Sequence, residues 1–214
     1  MSPVYLNSQP IDGARDKTLF EYADELSVRV PTSCGRNGKC HECIVEIRKG
    51  GDALSQPTEA ESFLTKNYRL ACQTYINDIE KVVDFSVLRR QPKILTAGAD
   101  VNTNISPAVV RDGNDIIYNN GESSKIIDTY RGSILGLAID IGTTTVVINL
   151  VDLESGEIVH TSSFENPQRF GGSDIMNRIS YDGGKYAGEL QAVLVSSINF
   201  EIGEMVKIKK IRRN

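Results

Sequence analysis

The chain has 214 residues, which is long enough for one large domain or two small ones, each with its own core. Its 40% hydrophobic and 24% charged residues are typical of soluble globular proteins, and a net charge of −4 excludes a global positive field that would attract nucleic acid. We find neither an apolar run of membrane-spanning length nor a secretory leader. We therefore expect a cytoplasmic protein with no nucleic-acid partner and no membrane contact.

The first 30 residues predict a β-hairpin followed by a helix. Residues 4–6 are apolar and strand-like, and Asp12-Gly13 is a turn-forming pair. Thr18 is suited to cap a helix that begins at Leu19, because Glu21 lies where a capping box needs a carboxylate. Apolar residues from Leu19 onward recur at helical spacing, so this helix should turn one face to a core.

A second run of alternating elements follows residue 43. Residues 44–47 predict a strand that ends near Lys49, and residues 58–67 predict a short helix with Thr58 as its N-cap and Glu61 as the boxed carboxylate. The β-branched segment 79–88 predicts a last strand. Together with the first 30 residues, these elements predict an α+β domain of residues 1–88.

The four cysteines of the chain are unevenly distributed. Cys34, Cys40 and Cys43 lie within ten residues in the glycine-bearing sequence PTSCGRNGKCHEC, and Cys72 follows after 28 residues in RLACQT. Two disulfides are one use for four cysteines. A chain without an export signal is expected to stay in a reducing compartment, where clustered cysteines more often hold metal. The spacing C-x5-C-x2-C is one residue longer in its first gap than that of plant-type [2Fe–2S] ferredoxins.

Two other metal sites are alternatives to a [2Fe–2S] cluster. Structural zinc sites with four cysteines usually combine two C-x2-C pairs, whereas only Cys40 and Cys43 have that spacing here. A Rieske centre replaces two cysteines by two histidines. His41 lies between two cysteines but His160 is far away in sequence, and we expect His41 to be a solvated loop residue.

The cysteine segments resemble the cluster loop and the fourth-ligand segment of [2Fe–2S] ferredoxins. The order of predicted elements is also similar to the β-grasp fold of those proteins over nearly all of residues 1–88. The resemblance implies that Cys34, Cys40, Cys43 and Cys72 are the four ligands of a [2Fe–2S] cluster. A loop that contains Gly35 and Gly38 can bend tightly and bring backbone amides close to the sulfur atoms.

Residues 89–132 predict a linker with some short secondary structure. Arg89-Arg90-Gln91-Pro92 interrupts the strand pattern, and the segments DGND and NNGESS are polar and rich in turn residues. From residue 133 the chain becomes apolar again, with two predicted buried strands, a turn at 154–156, a third strand and two helices. In the second helix Leu190, Val193, Leu194, Ile198 and Ile202 share one face.

The segment LAIDIGTTTVV contains a possible nucleotide site. A glycine-containing turn with successive backbone amides and hydroxyl groups can bind phosphate, and Asp140 could hold Mg²⁺ opposite it. The candidate nucleotide-binding residues are Asp140, Gly142, Thr143, Thr144 and Thr145. The alternative is an ordinary Gly-Thr hairpin within a sheet. The segment resembles the first phosphate motif of the actin-like ATPase superfamily (ASKHA), which implies that residues 133–214 form part of an RNase H-like α/β lobe.

A ferredoxin-like domain followed by DIGTTT and by NPQRFGGSDIMNRIS resembles the reductive activators of corrinoid proteins. That resemblance implies that the protein takes an electron from an upstream donor and delivers it at low potential in an ATP-dependent step. The expected acceptor is the corrinoid protein of a methyltransferase system, in which Co(II) is reduced to Co(I). Within NPQRFGGSDIMNRIS, Ser173 stands where the family more often has alanine, and it could equally be the N-cap of the helix that follows. Asp174 is a second candidate for the nucleotide site.

The length of the chain departs from that family. The chain ends 74 residues after Asp140, whereas an actin-like ATPase needs a second lobe with further nucleotide motifs. We therefore expect a truncated product or fragment that cannot hydrolyse ATP alone, so that ATP and Mg²⁺ are cofactors only of a complete ATPase domain. The alternative function is that of a stand-alone [2Fe–2S] electron carrier with a vestigial C-terminal lobe. The basic C-terminal residues 207–213 are expected to be a solvated end.

Overall fold

A computed structural model describes residues 4–88 and 105–211. The chain divides into two compact units. One contains residues 1–90 together with 165–214, and the other contains residues 91–164. The break predicted at Arg89–Pro92 and the C-terminal Arg212 and Arg213 lie outside the described residues. Among the described residues, no helix combines the length and the apolar character needed to cross a membrane.

The first unit is built on a five-stranded mixed sheet. Its strands are β1 Val4–Leu6, β2 Gln9–Ile11, β3 Ile44–Lys49, β4 Tyr68–Leu70 and β5 Val83–Val87. Their order across the sheet is β2-β1-β5-β3-β4, with β1 parallel to β5 and the other neighbours antiparallel. This order, with one helix packed on the sheet, confirms the predicted α+β class and the ferredoxin-like N-terminal fold.

The hairpin β1–β2 forms as predicted, but its turn is elsewhere. The two strands pair with Leu6 opposite Gln9, so the turn consists of Asn7 and Ser8, both with positive φ. Asp12-Gly13 lies beyond β2 and does not join the strands. Asparagine tolerates positive φ better than most residues. Two successive residues with positive φ give the twist that a two-residue hairpin turn requires.

Helix α1, Leu19–Glu25, begins where the sequence predicts. Glu21 N–H donates to the Thr18 hydroxyl oxygen at 3.2 Å, and the Thr18 N–H donates to the Glu21 carboxylate at 2.7 Å. The helix turns Leu19, Phe20 and Ala23 into the core. The reciprocal cap satisfies two backbone donors that would otherwise lack partners at the helix start.

The helix predicted over residues 58–67 is much shorter. A single 3₁₀ turn covers Glu59–Glu61, although Thr58 caps it and Glu61 closes the predicted capping box. The Glu61 side chain turns into the protein and binds Arg69 instead of remaining on a helix surface. The tertiary contact thus ends the helix that local sequence favours.

The last part of the chain folds back onto this sheet domain. A 3₁₀ segment, Pro167–Gly171, precedes helix α2, Ile175–Asp182, and helix α3, Glu189–Lys209. Phe170, Leu190 and Val193 belong to the same buried cluster as the core of the sheet. Asp174, not Ser173, is the N-cap of α2, because its carboxylate accepts the Asn177 N–H at 3.0 Å. Of the five residues on the predicted face of α3, Leu190, Val193 and Leu194 are buried, whereas Ile198 and Ile202 are half-buried.

Within its described residues, the second unit contains two separate three-stranded sheets. The first has β6 Val109–Asp112, β7 Asp115–Asn119 and β8 Ser124–Thr129 in that order. The second has β9 Leu135–Ile141, β10 Thr145–Asp152 and β11 Ile158–Glu165, in the order β11-β10-β9. Turns lie at the predicted DGND, NNGESS and 154–156 segments.

The prediction that β9 is buried is wrong. Leu137, Ile139 and Ile141 are 40–53% exposed, whereas Val146, Ile148 and Leu150 on the central strand β10 are buried. The physical reason is its position in the sheet: within the part of the chain that the structure describes, β9 pairs with β10 alone, so its side chains lack neighbours on the other edge. A continuous apolar run does not distinguish an edge strand from a central strand.

Gly50 offers a direct test of the sheet domain. It has φ +77°, and a Cβ atom added there would lie 2.3 Å from the Val82 carbonyl oxygen. We expect Gly50→Ala to lower the free energy of unfolding by at least about 2 kcal/mol, since both the conformation and the contact are unfavourable. Urea denaturation would measure the change.

The neighbouring Gly51 provides the matched control for this test. A Cβ atom on Gly51 would make only an ordinary contact, 3.8 Å from Ile47. We expect Gly51→Ala to change stability by less than about 1 kcal/mol. Equal effects of the two substitutions would contradict the prediction.

Candidate metal centre

The four cysteines of the sheet domain occur as two pairs. Cys34 and Cys40 lie in the loop between α1 and β3, and the Cys40 thiol helps to lower the pKa of Cys34. Cys43 immediately precedes β3 and Cys72 follows β4, and since β3 and β4 are paired, their sulfur atoms lie 3.4 Å apart. Gln73 Nε2 lies within 3.5 Å of both the Cys72 sulfur and the Arg36 carbonyl oxygen of the loop, so the loop that carries the first pair lies next to the second pair.

The two pairs differ in exposure. Cys43 is 1% exposed and Cys72 is 6% exposed, whereas Cys34 and Cys40 are half-buried. None of the four forms a disulfide. Within residues 4–88 and 105–211, no three His, Cys, Asp or Glu side chains converge on one metal ion. A binuclear cluster needs a different arrangement, one pair of thiolates for each of two iron atoms.

Backbone amides surround the outer pair. Desolvation raises the pKa of Cys34, but the Cys40 thiol and the N–H groups of Cys40, Asn37 and Lys39 outweigh it and lower the pKa to about 6. The loop reaches this conformation with positive φ at Gly35, Arg36, Gly38 and His41. Donors already aimed at the sulfur favour the thiolate, which is the form that binds metal.

The two thiols of the inner pair are hydrogen-bonded to each other. The hydrogen bond from the Cys43 thiol lowers the pKa of Cys72 to about 6, aided by the Gln73 side chain and the Gly38 N–H and opposed by desolvation. The same hydrogen bond, together with burial, raises the pKa of Cys43. Metal binding would displace the Cys43 proton, because metal ligands must be deprotonated.

A buried ion pair fixes the segment that carries Cys72. Arg69 contacts Glu61 through Nε at 2.8 Å and Nη2 at 3.2 Å, and it donates to the Ser55 carbonyl at 2.9 Å. The Glu61 carboxylate also accepts the N–H of Leu70 at 2.9 Å and the hydroxyl of Thr74 at 3.2 Å. Burial alone would raise the pKa of Glu61, but these hydrogen bonds hold it below its ordinary value.

His41 is not the solvated residue that the sequence suggested. Its side chain is 27% exposed, its ring stacks on Phe63 with 4.1 Å between centroids, and Nδ1 lies 3.0 Å from the Glu189 carboxylate of α3. The next residue, Glu42, accepts a hydrogen bond from Ser196 of α3. The C-terminal helix therefore contacts the cysteine loop directly, on the residues between Cys40 and Cys43.

An aromatic cluster continues this contact. Phe63 meets Phe170 edge to face, and Phe170 meets Tyr181 in the same way, each pair with centroids 5.6 Å apart. Tyr181 donates its hydroxyl to the Phe63 carbonyl at 2.5 Å. Sequence spacing alone could not relate Phe63 to residues more than 100 positions away, so this contact was missed.

Comparison with known proteins matches the two parts of the chain separately. Residues 5–77 match the model of the 2Fe-2S iron-sulfur cluster binding domain, and residues 135–214 match the RACo middle region. The chain is also 24% identical to the corrinoid activation enzyme RamQ of Eubacterium limosum, over an alignment that is 214 positions long. The chain is therefore similar, in its two parts, to a 2Fe-2S cluster binding domain and to a region of corrinoid activators.

The coverage of these relatives is partial. The match to RamQ includes 83% of this chain and 36% of that protein. A second match, at 30% identity, is to chlorosome protein J of Chlorobaculum tepidum, and it includes 34% of this chain and 35% of that protein. A solved reductive activator for corrinoid, iron-sulfur protein is similar with a TM-score of 0.46 and 21% identity, covering 99% of this chain and 45% of that one. The chain thus spans about a third of the length of the curated proteins it matches.

The predicted nucleotide residues lie on the β9–β10 hairpin. Gly142 N–H donates to the Thr145 carbonyl at 2.9 Å, which closes the turn, and a Cβ atom at Gly142 would lie 2.8 Å from that oxygen. Asp140 is exposed on β9, and Thr143 and Thr144 are exposed in the turn. Asp174 is occupied as a helix cap. The hairpin is present as predicted, and its nucleotide role stays a prediction.

Proposed function

We propose that this chain carries single electrons to a corrinoid protein through a [2Fe–2S] cluster, as the electron-transfer part of an ATP-dependent reductive activator. The observation that supports this most is the pairing of four thiols within the region that matches a 2Fe-2S cluster binding domain. The match of residues 135–214 to the RACo middle region, and the similarity to a corrinoid activation enzyme, support the choice of partner.

The pairing indicates how the four cysteines would divide between the two iron atoms. Cys34 and Cys40 would hold the outer iron, and Cys43 and Cys72 would hold the inner one. When bound, the cluster supplies a site that accepts and releases one electron reversibly. The N–H groups of Asn37 and Lys39 near Cys34 would stabilise the negative charge on the cluster sulfurs.

The role proposed for ATP follows from the energetics of the electron acceptor. Reduction of Co(II) to Co(I) is uphill from an ordinary ferredoxin donor, and each 30 mV of a one-electron step corresponds to about 0.7 kcal/mol. Nucleotide bound at the β9–β10 turn, with Mg²⁺ at Asp140, would offset this difference through a conformational change. Exposed hydroxyls at Thr143 and Thr144, with Thr145 beside them, suit phosphate contacts.

Electron transfer to a corrinoid protein tests the proposal. The chain would be loaded with iron and sulfide in the absence of oxygen. Its cluster would then be reduced by a redox dye that takes the place of the upstream electron donor. We expect visible absorption from the cluster, and reoxidation of the cluster that is faster with a Co(II) corrinoid protein than with the same protein lacking corrinoid. Equal reoxidation rates with both proteins would contradict the proposed partner.

The yield of Co(I), followed by its absorption, separates coupled from uncoupled transfer. Because the step is uphill, we expect a low yield without ATP. In an activator with a complete ATPase domain, a yield that rises with ATP, and no longer rises when Asp140 is replaced by Asn, would assign the coupling to this hairpin. Full yield without ATP would remove the need for coupling and favour a stand-alone electron carrier.

A further inference from the structure

Gln73 follows the inner cysteine Cys72, and the amide group of its side chain makes three polar contacts. Its Nε2 lies 3.4 Å from the Cys72 sulfur, 3.3 Å from the Cys72 carbonyl oxygen and 3.5 Å from the carbonyl oxygen of Arg36. Arg36 belongs to the loop that carries Cys34 and Cys40. One side chain therefore connects the segment of the fourth cysteine to the loop of the first two.

The glycine at position 38 makes this connection possible. Gly38 has φ +80°, and an added Cβ atom would lie 3.0 Å from Cδ and 3.2 Å from Nε2 of Gln73. The Gln73 amide therefore packs against the backbone of the cysteine loop, and a larger residue at position 38 would displace the amide from the Cys72 sulfur.

A donor at a cluster sulfur has a defined electrochemical effect. Reduction adds one negative charge to the cluster, and an N–H group aimed at a ligand sulfur stabilises the reduced form more than the oxidised form. The potential is therefore higher with the donor than without it. A carboxylate at the same place would have the opposite effect, because its charge repels the added electron.

We propose that Gln73 is a positioning residue of the cluster site, which joins the ligand loop to the fourth-ligand segment and raises the reduction potential of the cluster by donating its side-chain N–H to the Cys72 sulfur. The role depends on cluster binding, and it does not depend on ATP or on a corrinoid partner. The residue lies next to a ligand that is nearly buried, so its amide acts on the inner iron.

The test compares Gln73→Leu with the unchanged chain, both loaded with iron and sulfide. At one fixed ambient potential, the ratio of reduced to oxidised cluster should fall about threefold to tenfold in the variant, the equivalent of one hydrogen bond. Cluster loss after removal of free iron should also be faster. Gln56→Leu, at an exposed glutamine of the same domain, should leave both measurements unchanged.

If the leucine variant does not retain its cluster, Gln73→Glu, which keeps the length of the side chain, tests whether the Gln73 N–H raises the reduction potential. It should lower the reduced-to-oxidised ratio further than Gln73→Leu does, since it replaces a donor by a negative charge. An unchanged ratio in either loaded variant would overturn the proposal. If the unchanged chain itself binds no cluster, the proposed function fails, which is a different result.

Discussion

Cys72→Ser is expected to reduce bound iron and visible absorption to background, even after anaerobic reconstitution. The substitution removes one of the two thiolates that would hold the inner iron, and an alcohol is a much weaker ligand for iron than a thiolate. The measurement is iron and sulfide content per chain together with the visible spectrum. Since Cys43 lies 3.4 Å from Cys72, Cys43→Ser should give the same result.

His41→Ala is the control for this prediction. His41 lies between two cysteines but is directed to Phe63 and Glu189, so its removal should leave the iron content and the shape of the spectrum unchanged. Loss of the cluster in His41→Ala, with retention in Cys72→Ser, would contradict the four-cysteine site and favour mixed histidine and cysteine ligation.

Glu61→Gln is expected to cost about 3–5 kcal/mol of stability, the usual effect of removing one partner from a buried ion pair. Glu61 is 3% exposed and Arg69 is 8% exposed, so the substitution leaves a buried positive charge without its counter-charge. Since Arg69 and Leu70 lead directly to Cys72, the variant should also lose its cluster faster. Urea denaturation would measure the first effect.

The pH dependence of stability provides a second measurement of the same ion pair. The folded protein holds the pKa of Glu61 below the ordinary value of 4.5. The stabilisation that the ionised Glu61 carboxylate gives to the folded protein is therefore complete above pH 4.5. It is lost as the pH falls from there through the pKa of Glu61 in the folded protein. Glu61→Gln should flatten this part of the profile, whereas Glu59→Gln, an exposed neighbour, should not. Identical profiles for the two variants would contradict the prediction.

Local sequence was sufficient wherever the structure depends on neighbouring residues. The Thr18–Glu21 capping box predicts the first residue of α1, because its partners are three positions apart. The cysteine spacing likewise predicts a ligand loop, since three of the four thiols lie within ten residues. The α+β class and the ferredoxin-like domain follow from such local patterns taken in order.

Local sequence failed where distant contacts decide the outcome. The helix predicted over 58–67 ends early because Glu61 is drawn into the core by Arg69. The exposure of β9 depends on which strand lies beside it, which an apolar run does not specify. His41 acquires its partner Glu189 from 148 positions along the chain, so no pattern around the cysteines could identify it.

The return of the C-terminal helices to the sheet domain has a consequence for synthesis on the ribosome. Phe63 is made early, whereas Phe170 and Tyr181, which contact it, emerge more than 100 residues later. At usual rates of translation, that interval is on the order of ten seconds. During this interval Phe63, which stacks on His41 beside the cysteines, lacks its contacts with Phe170 and Tyr181 and is more exposed than in the folded chain.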